Sequence, residues 1–209
     1  MWQDIPWLTS FTNKKILILL LVLLIILLNN RYYDYHNNIG NHVIPADVET
    51  VLDLGCGDAC RKLPGKRIIY MDVVNAGKCN RPIIYNGETI PLPDKSIDLV
   101  IISFVFHHIP PKKQEKLLQE INRVSRKYVL VIEDTPRNSL QQWFNKIHIN
   151  CGRWGGDSHG SGFYTKEEWF HKLGKFGHVL CEPVYLAPFM RDFPFFYWCD
   201  RHLFLLTKM

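Results

Sequence analysis

Val51-Leu52-Asp53-Leu54-Gly55-Cys56-Gly57-Asp58-Ala59 is the stretch whose reading decides the fold. Val51 to Leu54 is a short apolar run stopped by a glycine turn, the pattern of a buried strand. Two glycines one residue apart follow at once. Without a Cβ they let backbone N–H groups approach a bound ligand closely. The residues beyond read as a helix start, whose free N–H groups attract polar or anionic ligand groups. The stretch therefore reads as a cofactor-binding first strand-to-helix turn.

Working toward the C-terminus, a short helix is expected over Asp58–Leu63, closed by Pro64-Gly65. Arg67 to Met71 reads as a second strand ending at Asp72, and Pro82 to Tyr85 as a brief third. Ser96 to Phe104 is nearly all apolar, which suits the centre of a parallel sheet covered on both faces. Pro110-Pro111 opens a helix with Leu117, Leu118, Ile121 and Val124 on one face. Lys127 to Glu133 is the next strand. Asn138 or Ser139 caps a helix bearing Leu140, Trp143, Phe144 and Ile147 at helical spacing. Cys151 to Gly162 is a glycine-rich loop that includes Asp157 and His159. Thr165 and Glu168 form a capping box at the head of a further helix. Val179 to Val184 and Leu203 to Thr207 complete seven strands.

Strands alternating with helices predict a mostly parallel α/β sheet with helices on both faces. Ligands in such sheets sit beyond the carboxyl ends of the strands. The Gly55–Gly57 turn, Asp72, Asn86-Gly87-Glu88 and Ser103 to His108 all fall there.

Toward the N-terminus, Ile16 to Leu28 is thirteen residues without a polar side chain. As a helix it spans only about 20 Å, against about 30 Å of bilayer hydrocarbon. Its flanks extend it: Trp2, Trp7 and Phe11 before, Lys14 and Lys15 at the edge, Tyr32, Tyr33 and Tyr35 after. Residues 1–33 are read as a segment with a single-pass membrane-anchor helix over about 14–30. A cleaved signal peptide and an internal core helix are the alternatives. Two lysines before the run and one arginine after it weakly place the globular part across the membrane. A cofactor made in the cytosol argues for the opposite, so the domain is expected on the cytoplasmic side. Residues 34–47 read as a polar linker with a short helix before Pro45, and 48–209 as the domain.

The 209 residues carry a net charge of +5 with no basic stripe, so nucleic acid is not an expected partner. Six cysteines with no C-x-x-C pair give no metal site, and reduced thiols are the expectation. A nicotinamide site is a poor match. The third glycine of G-x-G-x-x-G would fall at Cys60, and Asp72 lies only fifteen residues after Gly57.

The motifs resemble the class I S-adenosylmethionine-dependent methyltransferases, especially the small-molecule, type 11-like members. Val51 to Ala59 is similar to that family's first motif, and Asp72 to its ribose-binding acid. Gly87 to Asp94, Ser96 to Val100 and Phe106-His107-His108-Ile109 resemble its third and fourth motifs. Leu117 to Val124 and Phe163 to Trp169 resemble later helices. Ala59 replaces a glycine, Asn86 stands where the family often has Asp, and the expected first helix is about a turn short.

The resemblance implies a Rossmann-like fold and S-adenosyl-L-methionine as cofactor. Asp53 with the Gly55, Cys56 and Gly57 backbone would hold its methionine end. Asp72 and Val73 would meet the ribose, and Asn86, Gly87 and Glu88 the adenine. Ser103 and Phe104 would face the methionine part. His107 is the candidate general base, with pocket wall as its bland role; Glu133 and Asp134 are candidate acceptor contacts. The acceptor is expected to be a small or lipophilic molecule. Pro183 to Arg201, dense in aromatics, is a lid, core or membrane-facing patch. A catalytically inactive scaffold and a nicotinamide oxidoreductase are the alternatives.

Overall fold

The computed structural model of the chain describes residues 15–24, 38–57, 60–75, 81–151, 162–183 and 199–208. Two units separate after Asn37. In the first, residues 15–24 form a helix, α1, whose side chains from Ile16 to Leu24 are exposed. Among the described residues no helix is long and apolar enough to cross a membrane. Residues 14 and 25–30 of the expected anchor window, and its aromatic flanks, lie outside them.

The second unit holds one seven-stranded sheet in the order β3-β2-β1-β4-β5-β7-β6. Its strands are β1 (Thr50–Leu54), β2 (Arg67–Asp72), β3 (Ile83–Ile84), β4 (Ile97–Ser103), β5 (Ser125–Asp134), β6 (Gly177–Pro183) and β7 (Arg201–Lys208). The helices are α2 (Pro111–Val124), α3 (Ser139–Cys151) and α4 (Lys166–Gly174). β1 to β5 pair in parallel. β7 runs antiparallel to both β5 and β6. The expectation of a mostly parallel sheet is thus corrected to a mixed one. The reason is local: β6 and β7 are consecutive strands that pair antiparallel, which needs no crossover helix.

Val51, Leu52 and Leu54 of β1 and Leu99 to Ile102 of β4 are fully buried, as two-sided cover requires. Leu117, Leu118, Ile121 and Val124 of α2 join them, with Phe106, Trp169 and Phe204 filling the interior. Asn138 Oδ1 accepts the Gln141 N–H and caps α3. Thr165 and Glu168 form the expected reciprocal box on α4. The short helix expected before Pro45 is a single 3-10 turn, Asn41–Val43.

A larger correction concerns the helix expected over Asp58–Leu63. Residues 60–63 are irregular, and 58–59 lie outside the described residues. Tyr70 Oη donates to the Arg61 carbonyl, and Pro64-Gly65 turns the chain straight into β2. The stretch is too short for a helix nucleus to be repaid by propagation. Cys60 within it is disulfide-bonded, which also corrects the reduced-thiol expectation. Cys56, Cys181 and Cys199 are free thiols. The loop with Asp157 and His159 and most of the aromatic insert lie outside the described residues.

Candidate active site

The glycine turn is built as a cradle. Gly55 sits at φ 74° and Gly57 at φ 52°, a region where side chains are strained. A Cβ at Gly55 would lie 2.3 Å from Val105 Cγ2, so only glycine fits where the turn meets the end of β4. At Gly57 a Cβ would meet nothing within 4 Å, so that side of the turn is open. The Gly55 and Cys56 N–H groups both donate to the Met71 carbonyl, pinning the turn to β2.

Asp72, at the end of β2, accepts from three backbone N–H groups: Gly57 at 2.7 Å, Val73 at 2.7 Å and Val74 at 3.2 Å. The acid thus joins the glycine turn to the loop after β2. On the far side of that loop, Asn86 Oδ1 accepts from the Glu88 and Thr89 N–H groups. This Asx turn shapes the expected adenine edge and leaves Gly87 at φ 77°. A Cβ on Gly87 would approach Val73 Cγ1 at 3.2 Å, so the ribose and adenine candidates are neighbours. Glu88 pairs loosely with Lys113 at 3.9 Å on the surface.

Asp53 is buried one residue before the end of β1. Burial raises its carboxyl pKa to about 6, against the pull of the Arg61 charge and backbone N–H. Burial likewise pushes the Cys56 thiol up to about 12, with Asp53 and Asp72 adding to it. Arg61 carries a buried guanidinium that reaches Ser103 Oγ at 3.1 Å. It was not foreseen, because a charged residue in an expected surface helix raises no flag.

Ser103 ends β4, and Phe104 follows at φ 56°, an uncommon conformation for a bulky residue. Its N–H donates to the Ile132 carbonyl, and the Arg201 guanidinium lies 4.8 Å from its ring centre. Arg201 in turn pairs with buried Asp134 at 2.5 Å. Asp134 is therefore committed to β7 and is a structural anchor.

His107 lies in a 3-10 turn, Phe106–His108, and is buried beneath Phe163, whose ring stacks on it at 4.9 Å. Its Nδ1 is 2.7 Å from Glu133 Oε2. Glu133 Oε1 accepts from the Val105 and Phe106 N–H groups, each at 2.8 Å. Burial lowers the His107 pKa, but the Glu133 charge and hydrogen bond outweigh it and the net shift is upward. Gln114, buried on the core face of α2, holds the same turn through the Phe106 carbonyl at 2.8 Å. Its spacing with Leu117, Leu118 and Ile121 was the available signal: a polar residue on an apolar stripe.

Three groups of candidates thus come together: Asp53, Gly55, Cys56, Gly57 and Asp72; Val73 with Asn86, Gly87 and Glu88; and Ser103 and Phe104 leading into His107. Val105, touching Gly55 and bonded to Glu133, links the first group to the last. A Cβ-free cradle, a strand-end acid beside it and a buried cation fit a cofactor with a ribose and a zwitterionic amino-acid end. Among the described residues no cluster of side chains fits a metal ion.

The family model described as a methyltransferase domain matches residues 52–132, from β1 through most of β5. The matched stretch resembles the class I S-adenosylmethionine-dependent methyltransferases. Solved structures share the fold. A Thermotoga maritima S-adenosylmethionine-dependent methyltransferase, described as a possible histamine N-methyltransferase, superposes with a TM-score of 0.61 at 15% identity, over 85% of this chain and 89% of its own. One from Archaeoglobus fulgidus gives 0.57 at 18%, over 86% and 90%. One from Methanosarcina mazei gives 0.56 at 15%, over 81% and 96%. No curated protein matches the chain. The matched stretch is that of a methyltransferase domain, for which S-adenosylmethionine is the expected cofactor.

Proposed function

We propose that this methyltransferase alkylates a small acceptor that loses a proton on transfer, with His107 as the base. The observation that carries this reading is the buried His107–Glu133 pair at the end of β4, beside the glycine cradle. When bound, the cofactor supplies an electrophilic methyl on a sulfonium. Asp53, Asp72 and the Asn86–Glu88 turn bind and orient it. Glu133 holds Nδ1 of His107 and so favours the tautomer whose Nε2 is basic, the atom that would take the acceptor's proton. Phe163 shields the ring from water.

The test is release of S-adenosylhomocysteine by the full-length chain across hydroxyl, amine and carboxylate acceptors. Turnover should drop about a hundredfold or more in H107Q while S-adenosylhomocysteine affinity holds. Equal turnover in H107Q would end the base assignment.

A non-catalytic scaffold is the second reading. It is favoured by one feature, the irregular residues 60–63 where a helix would brace the cradle. Cofactor binding without product from any acceptor class would select it.

The N-terminal unit is proposed as a membrane attachment, supported by the uninterrupted apolar run Ile16 to Leu28. A lipophilic acceptor would suit such a location. Flotation of the chain with phospholipid vesicles, lost when Leu19, Leu20 and Leu23 become Asp, is the check. The cytoplasmic face, where the cofactor is made, is the proposed side of the domain. The Cys60 disulfide argues for an oxidising one. Thiol labelling in intact and permeabilised cells separates the two.

A further inference from the structure

Arg61 is 2% exposed and sits among the methionine-end candidates, yet its hydrogen-bonding capacity is only partly used. A guanidinium has five N–H groups in a fixed fork. Nη1 donates to the Ile39 carbonyl at 2.6 Å and to Asn41 Oδ1 at 2.7 Å, so both of its protons are engaged. Nη2 donates to Ser103 Oγ at 3.1 Å. Among the described residues, Nε is buried with no hydrogen-bond partner. The two N–H groups left over are on Nε and Nη2, and that edge of the fork is the one a carboxylate grips in bidentate fashion.

An orphaned buried N–H costs stability, and native chains rarely leave one without a use. The neighbours define the use. Ser103 ends β4. Asp53, an acid buried near the end of β1, takes the Arg61 backbone N–H. A buried cation and a buried acid at adjacent strand ends complement a zwitterion, the cation facing its carboxylate and the acid its ammonium.

We infer that Arg61 is the receptor for the carboxylate of the cofactor's methionine end, with the Nε/Nη2 edge as its docking face. This rests on the methyltransferase reading and adds to it a residue outside the family's motifs. It also gives the irregular stretch a purpose. A helix over 58–63 would carry Arg61 on a helix face, whereas the irregular chain turns it inward. Nη1, held by Ile39 and Asn41, locks residues 39–41 to the same guanidinium.

The experiment is calorimetric titration of the full-length chain with S-adenosylhomocysteine and with its decarboxylated analogue, which keeps the amine and nucleoside. The wild type should bind the carboxylate-bearing ligand about tenfold to a hundredfold more tightly, the range for losing charged hydrogen bonds. Arg61→Lys keeps the charge without the fork and should lose at least half of that ratio on a logarithmic scale. Asn41→Ala, which removes an Nη1 contact and leaves the Nε/Nη2 edge in place, should keep it. Equal binding of the two ligands by the wild type, or full discrimination by Arg61→Lys, overturns the assignment. Failure of the wild type to bind either ligand would instead overturn the methyltransferase reading beneath it.

Discussion

Glu133 Oε2 lies 2.7 Å from His107 Nδ1 while its other oxygen accepts the Val105 and Phe106 N–H groups. One buried carboxylate therefore sets both the backbone of the turn and the tautomer of the ring. Glu133→Gln should separate these roles. The amide oxygen still accepts from the backbone, but the amide nitrogen donates to Nδ1 and drives the ring proton onto Nε2. Turnover should fall about a hundredfold with S-adenosylhomocysteine affinity unchanged. Nitrogen-15 shifts of the ring should report the exchanged tautomer; an unchanged tautomer would refute this.

The upward shift of His107 makes stability and activity run in opposite directions with pH. A raised pKa means the folded state holds the proton more tightly than the unfolded one. Its stabilisation is complete below the ordinary histidine value and is lost as pH rises through the folded value. Basic Nε2 appears over the same rise. Thermal melts should show a loss of stability, as pH rises past the ordinary histidine value, that H107Q lacks, while turnover rises. A base limb absent from the turnover profile would contradict this.

Asp72 should matter to binding more than to folding of the sheet. Replacing it by Asn keeps the shape but removes the charge from an acceptor of three N–H groups. S-adenosylhomocysteine affinity should weaken about tenfold to a hundredfold. Unchanged affinity in the titration would remove Asp72 from the site.

The opposite end of the sheet gives a stability control. Buried Asp98 accepts from the Glu49 and Thr50 N–H groups, the Thr50 hydroxyl and Arg126. Burial opposes its ionisation, but the Arg126 and Thr50 hydrogen bonds outweigh it and hold its pKa below the usual range. A depressed pKa contributes stability above the ordinary aspartate value, and the contribution is lost as pH falls toward the folded value. Asp98→Ala should cost about 1–3 kcal/mol in urea melts, since it removes the acceptor of two backbone N–H groups and the Thr50 hydroxyl. Intact folded protein should still bind cofactor; a specific binding loss would contradict the assignment.

The disulfide at Cys60 should show in a non-reducing peptide map, with Cys56, Cys181 and Cys199 found as thiols. Reduction should lower stability by about 2–4 kcal/mol and weaken cofactor binding, because Cys60 adjoins Arg61. A map with Cys60 free would remove the brace.

Much of this was legible because it rests on periodicity and turn chemistry. The two-sided apolar runs Val51–Leu54 and Ile97–Ser103 announced central strands, and Thr165 with Glu168 announced α4. The glycine cradle and Asp72 were readable for the same reason: each needs a specific residue at a specific turn. The rest depended on long-range partners. Nothing local in Arg61 foretells a carbonyl at Ile39 or a hydroxyl at Ser103. Glu133 and His107 are twenty-six residues apart and meet only because β4 and β5 are adjacent. The antiparallel β7 pairs with its sequence neighbour β6 and with distant β5, and alternation of elements cannot rank the second pairing.

The central claim is that the Gly55–Gly57 cradle, Asp72 and the Asn86–Glu88 turn form a working cofactor site. Calorimetric titration of the full-length chain with S-adenosylhomocysteine tests it most directly. The account predicts one site per chain with micromolar affinity, lost or greatly weakened in Asp72→Asn. No heat of binding at millimolar ligand would contradict it.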